Sequence, residues 1–371
     1  MNDASNQPFL SVCCITYNHV NFIKKALNGF LMQETSFPFE IIVHDDCSTD
    51  GTTDIIREYE RQYPQLIKPI YQSENQFSKG IKIFAAYVWP KTRGKYIAAC
   101  EGDDYWIDPY KLQKQFDFLE GHPECSMCAH NNGVIIGENE TIIGQKNPPG
   151  QKQFYDLNDV LGGHPWHTST IVYKKEILNS FPDWYGKLLG GDWQLYIIAA
   201  QQGSIGYIDE VMSIYRVHPG GIWSSMTIDD QHKFANQRLE LLLKNLGGAY
   251  RKKTLGNQFK QAAARYFEIE ILSGTPAWNT KNGAKYFLEQ LLLKSNLSYF
   301  QKIRLKRIFN SNYYGALGFK CYQEKNLKSA ARFLMMACIL DPLWLRNKGT
   351  LSILGEFIIG RNVADYFRKR L

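Results

Sequence analysis

The most restrictive feature of this sequence is the alternation of short apolar runs with helical patterns along residues 1–225. Between the first two apolar runs, apolar residues recur at helical spacing from Ile23 to Leu31, and Ser48-Thr49-Asp50 supplies capping residues before the next helix. Alternating βα units predict an α/β fold, with a Rossmann-like beginning and a mostly parallel sheet covered by helices. The predicted strands are Leu10–Thr16, Glu40–His44, Lys68–Tyr71, Tyr96–Ala99, Cys125–His130, Thr170–Tyr173 and Ile205–Ile208.

The charge of the chain changes sign near residue 225. Residues 1–225 carry 18 Lys or Arg and 26 Asp or Glu, whereas residues 226–371 carry 25 basic and 10 acidic residues. We therefore predict two domains, an α/β domain at 1–225 and a basic all-α domain at 226–371, which suits a chain of 371 residues. The helical patterns of the second domain are Leu239–Leu246, Phe259–Leu272, Ala284–Leu293 and Tyr313–Leu340.

Within the second domain, residues 313–342 follow the spacing of a tetratricopeptide repeat. The matching positions are Tyr314, Leu317, Gly318, Cys321, Ala330, Leu334, Ala337 and Pro342, with Cys321 and Leu334 where the repeat usually has Tyr and Phe. The sequence contains one good copy, and a stable solenoid needs about three neighbouring repeats. A packed helical hairpin is therefore the favoured interpretation.

Neither a membrane span nor a secretory signal is visible in the sequence. No segment has the ~18 consecutive apolar residues of a spanning helix, and the first residues lack a basic stretch followed by an apolar run. We therefore predict a cytoplasmic location. The second domain ends with Leu351, Leu354, Phe357, Ile358 and Ile359 beside Arg361, Arg368, Lys369 and Arg370. This basic amphipathic ending predicts peripheral contact with the inner face of an anionic membrane, with solvated helix faces as the alternative.

The eight cysteines show no disulfide framework and indicate reduced thiols. His122, Cys125, Cys128 and His130 are residue types that can bind zinc. They lack the second ligand pair of a usual structural site, and the two cysteines lie in a strand-like run. Burial in the sheet is therefore the favoured interpretation.

Acidic residues follow two predicted strands, at the end where open α/β sheets bind ligands. After the first of these strands, Asp46 can accept a hydrogen bond from a base or a ribose, and capping of the next helix is the alternative. The other strand, from Tyr96, runs directly into Glu101-Gly102-Asp103-Asp104. Three carboxylates so close repel one another unless a cation joins them. Mg²⁺ or Mn²⁺ held by one or two carboxylates keeps positions open for substrate phosphates, and a solvated turn is the alternative.

Two later segments also carry candidate residues. Asp192 follows Gly190-Gly191 and precedes an apolar helical pattern, so it can be an N-cap or a general base. Arg216 and His218 lie at a strand end before a glycine-rich bend. A structural role is the alternative for His218.

Taken in this order, the four motifs resemble those of the family 2 inverting glycosyltransferases, whose nucleotide-binding domain has the GT-A fold. The resemblance covers about residues 9–225. It begins with Ser11-Val12-Cys13-Cys14-Ile15-Thr16-Tyr17-Asn18, which is similar to the family's opening strand and its turn beside the donor base. The resemblance implies that Thr16, Tyr17, Asn18 and Asp46 line the donor nucleotide.

The same resemblance implies roles for the acidic residues. Glu101-Gly102-Asp103 occupies the place of the family's Asp-x-Asp, so Asp103 would contact the metal ion at the donor diphosphate, with Glu101 and Asp104 beside it. Glu101 is a departure that lengthens the first carboxylate by one methylene. His218 lies where several members have a late metal ligand, and an imidazole favours Mn²⁺ over Mg²⁺.

Asp192 falls where the family has its catalytic base, although Gly191 replaces the Glu of the usual Glu-Asp. The implied reaction is an in-line displacement, in which Asp192 takes the proton from an acceptor hydroxyl and the anomeric centre inverts. A cation held by Asp103 and His218 would stabilise the leaving diphosphate, assisted by Arg216 or Lys79.

These features predict a metal-dependent glycosyltransferase of the hexosyltransferase type, acting in bacterial-type glycan or polysaccharide synthesis. The donor would be a nucleotide-sugar, by family a UDP-sugar, the acceptor a glycan, a lipid-linked glycan or a protein, and nucleic acid is not expected. A sugar nucleotidyltransferase is one alternative, but the turn Thr16-Tyr17-Asn18-His19 lacks the glycines of a triphosphate loop. A non-catalytic scaffold that uses the helical domain is another, and the intact carboxylates argue against it.

Overall fold

The computed structural model describes residues 7–136, 141–161, 166–182, 191–227 and 298–359, together with residues 185, 230, 237, 245, 289 and 292. The chain divides into two compact units, Met1–Phe234 and Ala235–Leu371. The predicted domain boundary near residue 225 lies inside the first unit and stays a prediction.

The described residues of the first unit contain one sheet of ten strands, in the order β3-β2-β1-β4-β9-β6-β10-β5, with β7 paired to β6 and β8 to β10. The pairs β3–β2, β2–β1, β1–β4 and β6–β10 are parallel, and β9 is antiparallel to both of its neighbours. This arrangement confirms the α/β class with a mostly parallel sheet. The strands are β1 Leu10–Thr16, β2 Phe39–Asp45, β3 Ile67–Tyr71, β4 Tyr96–Glu101, β5 Tyr105–Trp106, β6 Cys125–Ile136, β7 Ile142–Gln145, β8 Phe154–Tyr155, β9 Val172–Lys174 and β10 Ser204–Val217.

The helices of this unit cover the sheet with their apolar faces. In the first helix, Ile23, Ala26, Leu27 and Phe30 are buried at helical spacing, and they join the core formed by β1, β2 and β4. Cys125 and Cys128 belong to the same core, so their side chains pack as apolar groups. The helices are α1 Ile23–Leu31, α2 Thr52–Gln62, α3 Lys111–Gly121, α4 Leu157–Leu161, α5 Asp192–Gln202 and α6 Ile222–Ser225.

The strand β10 is longer than the sequence pattern predicts. The run Ile205–Ile208 and the later residues up to Val217 form a single strand, whose register against β6 shifts between Ile208 and Ser213. The exposed Asp209 and Glu210 interrupt the apolar pattern at these shifts. Because the strand continues beyond them, it carries Arg216 to the same edge of the sheet as the end of β4.

The described part of the second unit is a helical hairpin followed by a third helix. The helices are α7 Tyr299–Gln323, α8 Leu327–Leu340 and α9 Lys348–Ile359. Ser298 and Gln301 form a capping box at the start of α7. Gly318 allows α7 to approach α8 closely, since a Cβ atom there would lie 2.5 Å from Cγ of Leu334. The tetratricopeptide likeness of this hairpin stays a prediction.

Several sequence predictions lie largely outside the described residues. These are the helical patterns between residues 239 and 293 and the basic residues from Arg361 to Arg370. In the parts of the chain that the structure describes, no helix is long and apolar enough to cross a membrane.

Candidate active site

Most of the candidate residues lie at one edge of the sheet. The strands β1, β2, β4 and β10 all point in the same direction, so their carboxyl ends lie together at this edge. In the register of the sheet, Thr16 is the partner of Asp45, and Ile15 is the partner of Glu101. The sequence motifs at residues 16, 45 and 101 are therefore neighbours in space.

Asp103 lies between two imidazoles. Its Oδ2 atom is 3.1 Å from Nε2 of His218 and 3.8 Å from Nε2 of His19, and all three side chains are largely buried. Burial opposes ionisation of Asp103, but the hydrogen bond from His218 and the nearby imidazoles outweigh it and lower the pKa of this carboxyl. Asp103 is therefore a carboxylate at neutral pH.

This pair fits a divalent metal ion. The 3.1 Å between the Asp103 and His218 donor atoms suits two adjacent ligands of one ion, with bonds of about 2.1 Å. A carboxylate and an imidazole together suit Mn²⁺. Within the described residues no group of three or more His, Cys, Asp or Glu side chains is arranged as a metal site. Two protein ligands would leave the remaining positions for phosphate oxygens and water.

Asp104 and Arg216 face the protein interior. The Arg216 backbone N–H donates to Asp104 Oδ1 at 2.9 Å, and its Nε donates to the backbone oxygen of Asp103 at 3.0 Å. The guanidinium also lies over the rings of Phe22 and Tyr105. Burial and the neighbouring carboxylates raise the pKa of Asp104. These contacts fix the turn after β4 against the end of β10.

Glu101 differs electrostatically from Asp103. Burial and the charge of Asp103 raise the pKa of Glu101 to about 8, although a hydrogen bond with the Thr168 side chain acts in the opposite direction. Gly102, between the two carboxyls, packs tightly on β1, because a Cβ atom there would lie 2.7 Å from Thr16 Oγ1. That hydroxyl is buried and has no hydrogen-bond partner within the described residues.

Asp192 is the first residue of α5 and interacts electrostatically with Glu101. Its Oδ1 atom accepts a hydrogen bond from the backbone N–H of Trp193 at 2.7 Å. Its charge contributes to the raised pKa of Glu101 and opposes the effect of burial, which lowers the pKa of Lys82 to about 8. Gly191 leaves room for Tyr185, whose hydroxyl would be 3.0 Å from a Cβ atom at position 191.

The residues after β1 and β2 that are predicted to line the donor nucleotide have different environments. Tyr17 is 44% exposed. Asn18 has a positive φ of 54° and joins two turns, because its Oδ1 accepts from Thr49 N and its own N–H donates to Ser48 Oγ. Asp46 is buried, and its two oxygens accept from the backbone N–H groups of Gln76 and Phe77, each at 2.9 Å.

Lys79 lies on the segment that Asp46 holds. Its ammonium forms an ion pair with Glu74, and both side chains are substantially exposed. Three residues later, Lys82 lies over the ring of Tyr185, 5.7 Å from its centroid. Lys82 also lies near enough to Asp192 for the charge of Asp192 to act on its pKa, and the predicted contact of Lys79 with the donor diphosphate stays a prediction.

Residues 11–180 match the family described as glycosyl transferase family 2. This part of the chain is a family 2 glycosyltransferase domain. The match includes every candidate residue up to Asp104, while Asp192, Arg216 and His218 lie beyond it.

Relatives of the family 2 domain occur in several bacteria. An uncharacterized protein of Mycobacterium tuberculosis is 38% identical over 229 residues, which cover 62% of this chain and 64% of that protein. The putative teichuronic acid biosynthesis glycosyltransferase TuaG of Bacillus subtilis is 35% identical over 114 residues, 30% of this chain and 42% of that protein. The matched part of the chain thus spans less than two thirds of the length of these relatives.

Among solved structures, S. aureus TarS residues 1–349 in complex with UDP-GlcNAc has a similar fold. The TM-score is 0.59 at 18% identity, covering 89% of this chain and 91% of that chain. This similarity supports the GT-A fold of the family 2 domain.

Four residues of the site are absent from the sequence predictions: His19, Lys82, Thr168 and Tyr185. His19 directly follows the Thr16-Tyr17-Asn18 turn, so its position in the chain was a usable signal. The other three belong to none of the sequence motifs, and the fold brings them near Asp192 or Glu101.

Proposed function

We propose that the protein is an inverting, metal-dependent glycosyltransferase that moves one sugar, of the hexosyl type, from a nucleotide-sugar to an acceptor hydroxyl. The observation that carries this proposal is the pairing of Asp103 with His218, 115 residues apart in the chain, at the sheet edge that also holds Glu101. A family 2 domain with a metal-binding pair and a separate carboxylate, Asp192, contains the parts that such a transfer needs.

In the proposed reaction, Asp103 and His218 hold a Mn²⁺ or Mg²⁺ ion. When bound, the ion would neutralise charge on the leaving nucleoside diphosphate. Arg216 acts indirectly, since its backbone and side chain fix the turn that carries Asp103. Glu101, with its raised pKa, and the buried Asp104 complete the wall of this part of the donor site.

Asp192 is the proposed general base. Its position at the first turn of α5 fixes the carboxylate, and Trp193 anchors that turn, because its indole N–H donates to the backbone oxygen of Val160 at 2.8 Å. The amine of Lys82 lies near enough to Asp192 to interact with it electrostatically, and the ionised Asp192 carboxylate would accept the proton of the acceptor hydroxyl. A positioned base of this kind contributes typically 10²–10⁴-fold in rate.

For the donor nucleotide, we propose UDP, following the family resemblance. S. aureus TarS, which shares the fold, was solved with UDP-GlcNAc. The exposed ring of Tyr17 and the buried hydroxyl of Thr16 would contact the nucleotide. Asn18 and Asp46 hold the turns around it, and Lys79 would have to leave Glu74 to reach a phosphate.

The proposed acceptor is a glycan, a lipid-linked glycan or a protein, in bacterial-type glycan or polysaccharide synthesis. The name of the Bacillus subtilis relative, a putative teichuronic acid biosynthesis glycosyltransferase, supports a surface polymer as the setting. The shape of the pocket around Asp192 would determine which acceptor is used.

The test is a screen of nucleotide-sugars for release of nucleoside diphosphate, with Mn²⁺, with Mg²⁺ and with a chelator. We expect release from a UDP-sugar only with metal, and stabilisation against heat by UDP plus Mn²⁺. Asp103→Asn serves as the inactive control. If instead the protein forms nucleotide-sugars from a sugar phosphate and a nucleoside triphosphate, it is a nucleotidyltransferase. No turnover with any donor, together with no thermal stabilisation, would leave only the scaffold function.

A further inference from the structure

The first turns of α7 present aromatic and basic side chains on one face. Tyr299, Phe300 and Ile303 are 73%, 81% and 39% exposed, whereas Leu305 and Phe309 on the opposite face are buried. At ~100° per residue, these three exposed residues share an arc of about 160° with the exposed side chains of Arg304, Lys306 and Arg307. A face that mixes large apolar rings with cations is unusual for a helix turned only towards water.

This face lies at the end of the hairpin where α7 extends beyond α8. The helices α7 and α8 are antiparallel, because Arg307 donates to the backbone oxygens of Leu340 and Ile339, while Gly318 packs on Leu334. The residues of α7 before Arg307 therefore extend about 10 Å past the last turn of α8. Ile339 is 73% exposed at that last turn. We call this end the helical tip, comprising Tyr299, Phe300, Ile303, Arg304, Lys306, Arg307 and Ile339.

We propose that the helical tip docks on an anionic lipid membrane surface. The rings of Tyr299 and Phe300 enter the headgroup region, where side chains with apolar bodies are stable, and Arg304 and Lys306 contact lipid phosphates. The proposal is independent of the proposed glycosyl transfer. It also differs in place from the basic ending predicted from the sequence, which begins in α9, where Leu351, Phe357 and Ile358 are exposed while Ile353 is buried against α8.

Two other occupants fit the tip less well. A second copy of the chain would bring like charges together, because residues 298–359 contain ten Lys or Arg and three Asp or Glu. A soluble acidic polymer would pair with the cations but would leave the two exposed aromatic rings in water. A membrane satisfies both the charge and the apolar area at once.

The experiment is co-sedimentation of the full chain with vesicles of phosphatidylcholine, alone or mixed with phosphatidylglycerol, at low and at high salt. We expect at least about tenfold more binding to the anionic vesicles at low salt. The double variant Tyr299→Ser/Phe300→Ser should lose at least about fivefold of this binding. The variant Arg304→Glu/Lys306→Glu should fall to the level seen with neutral vesicles.

Matched controls separate the tip from general effects of charge and apolarity. Lys325→Glu/Lys328→Glu makes the same charge change at the opposite end of the hairpin, and Ile142→Ser removes an apolar side chain that is 56% exposed in the first unit. Both should bind like the parent protein. The proposal is overturned if the parent binds neutral and anionic vesicles equally, or if the controls lose as much binding as the tip variants.

A second measurement reports on insertion directly. In Phe300→Trp, brominated lipids should quench the added fluorescence in anionic vesicles, whereas Lys328→Trp should show no added quenching. If the serine variant binds as well as the parent and soluble dextran sulfate displaces both equally from anionic vesicles, the tip binds polyanions by charge alone and the membrane proposal fails. Unchanged circular dichroism and melting temperature of each variant would exclude misfolding as the cause of any loss.

Discussion

Two acidic turns lie side by side in the first unit and look alike in sequence. The β2 turn, residues 45–50, and the β4 turn, residues 101–104, each contain three carboxyl groups, the first of which belongs to the last residue of a buried strand. The two turns differ in the partners of those carboxyl groups, and this difference separates a structural role from a chemical one.

In the β2 turn, the chain itself satisfies the carboxylates. Asp45 accepts from the N–H and hydroxyl of Ser48 and from the hydroxyl of Thr53. Asp46 accepts two backbone N–H groups, and Asp50 accepts from Val20 and Thr52. These bonds join the ends of β1 and β2 to the loop at residues 76–77. The β2 turn therefore has a structural role beside the proposed donor site.

In the β4 turn, Asp103 faces two imidazoles, while Glu101 and Asp104 each have a hydrogen-bond partner in Thr168 and the Arg216 backbone, and the three carboxyl groups also influence one another electrostatically. The charge of Asp103 helps to raise the pKa of Glu101, and the neighbouring His218 keeps Asp103 ionised. Carboxyl groups with such different proton affinities, a few residues apart, are typical of functional sites. Hydrogen-bond partners, and not the number of acidic residues, distinguish the turn that can bind an ion.

The largest effect is expected at the β4 turn. Asp103→Asn should lower transfer by about a thousandfold, because the leaving diphosphate loses its stabilising cation. Binding of Mn²⁺, followed by electron paramagnetic resonance, should weaken in parallel. Asp45→Asn is the matched change in the β2 turn and should leave Mn²⁺ affinity unaltered. Equal Mn²⁺ binding by Asp103→Asn and the parent would remove the metal role from the β4 turn.

The next effect concerns Asp192, which lies in neither turn. Asp192→Asn should reduce transfer at least about a hundredfold while nucleotide and Mn²⁺ binding stay close to normal, since only proton abstraction is lost. Isothermal titration with UDP and a transfer assay give the two readouts. Asn is itself a good N-cap, so near-normal activity of this variant would mean that Asp192 only caps α5.

At the β2 turn, the expected effect is on stability. Asp45→Asn should lower the free energy of unfolding by about 2 kcal/mol, because a carboxylate that accepts from Ser48 and Thr53 is replaced by an amide that both donates and accepts. Urea denaturation measures this change. Asp103→Asn should cost less stability, because the Asp103 carboxylate has one side-chain hydrogen-bond partner among the described residues, His218, whereas Asp45 accepts three hydrogen bonds. The reverse order of stabilities would show that the two turns had been assigned the wrong roles.

Local patterns in the sequence predict the fold well and the site only in part. Strand β1 has the predicted bounds, Leu10–Thr16, because a fully buried run followed by a polar turn leaves little freedom. The pairing of Asp103 with His218 could be predicted only through the family resemblance, since no local pattern relates residues 115 positions apart. The same limit explains Lys82. No sequence motif includes Lys82, and the short helical turns at Phe77–Lys79 and Phe84–Val88 determine its approach to Asp192.

The smallest expected effect concerns Lys111, which supports the β4 turn from the protein core. Lys111, the first residue of α3, is completely buried, with its ammonium 4.1 Å from the centroid of the Trp106 ring and bonded to Gln115 Oε1 at 2.7 Å. Trp106 follows the β4 turn and donates from its indole to the backbone oxygen of Ser169 at 2.9 Å. Lys111 thus supports the β4 turn from the core side. The carboxyl groups of the β2 turn are held instead by hydroxyl and backbone N–H groups.

Burial lowers the pKa of Lys111 to about 7, from an ordinary value of 10.5. Between these two values the unfolded chain binds a proton that the folded protein does not, so this residue makes stability rise as pH increases from about 7 to about 10. Lys111→Met removes that dependence. The difference in unfolding free energy, parent minus variant, should therefore increase by at least about 1 kcal/mol across this range. Urea denaturation of the metal-free protein at several pH values provides the measurement.

The control is Lys114→Met. Lys114 lies on the more exposed side of α3 and is ion-paired with Asp108 and Glu210, so this variant should show no such increase. A constant difference for Lys111→Met would mean that Lys111 keeps its charge in the core, and that the β4 turn is supported by a buried cation instead of a neutral amine.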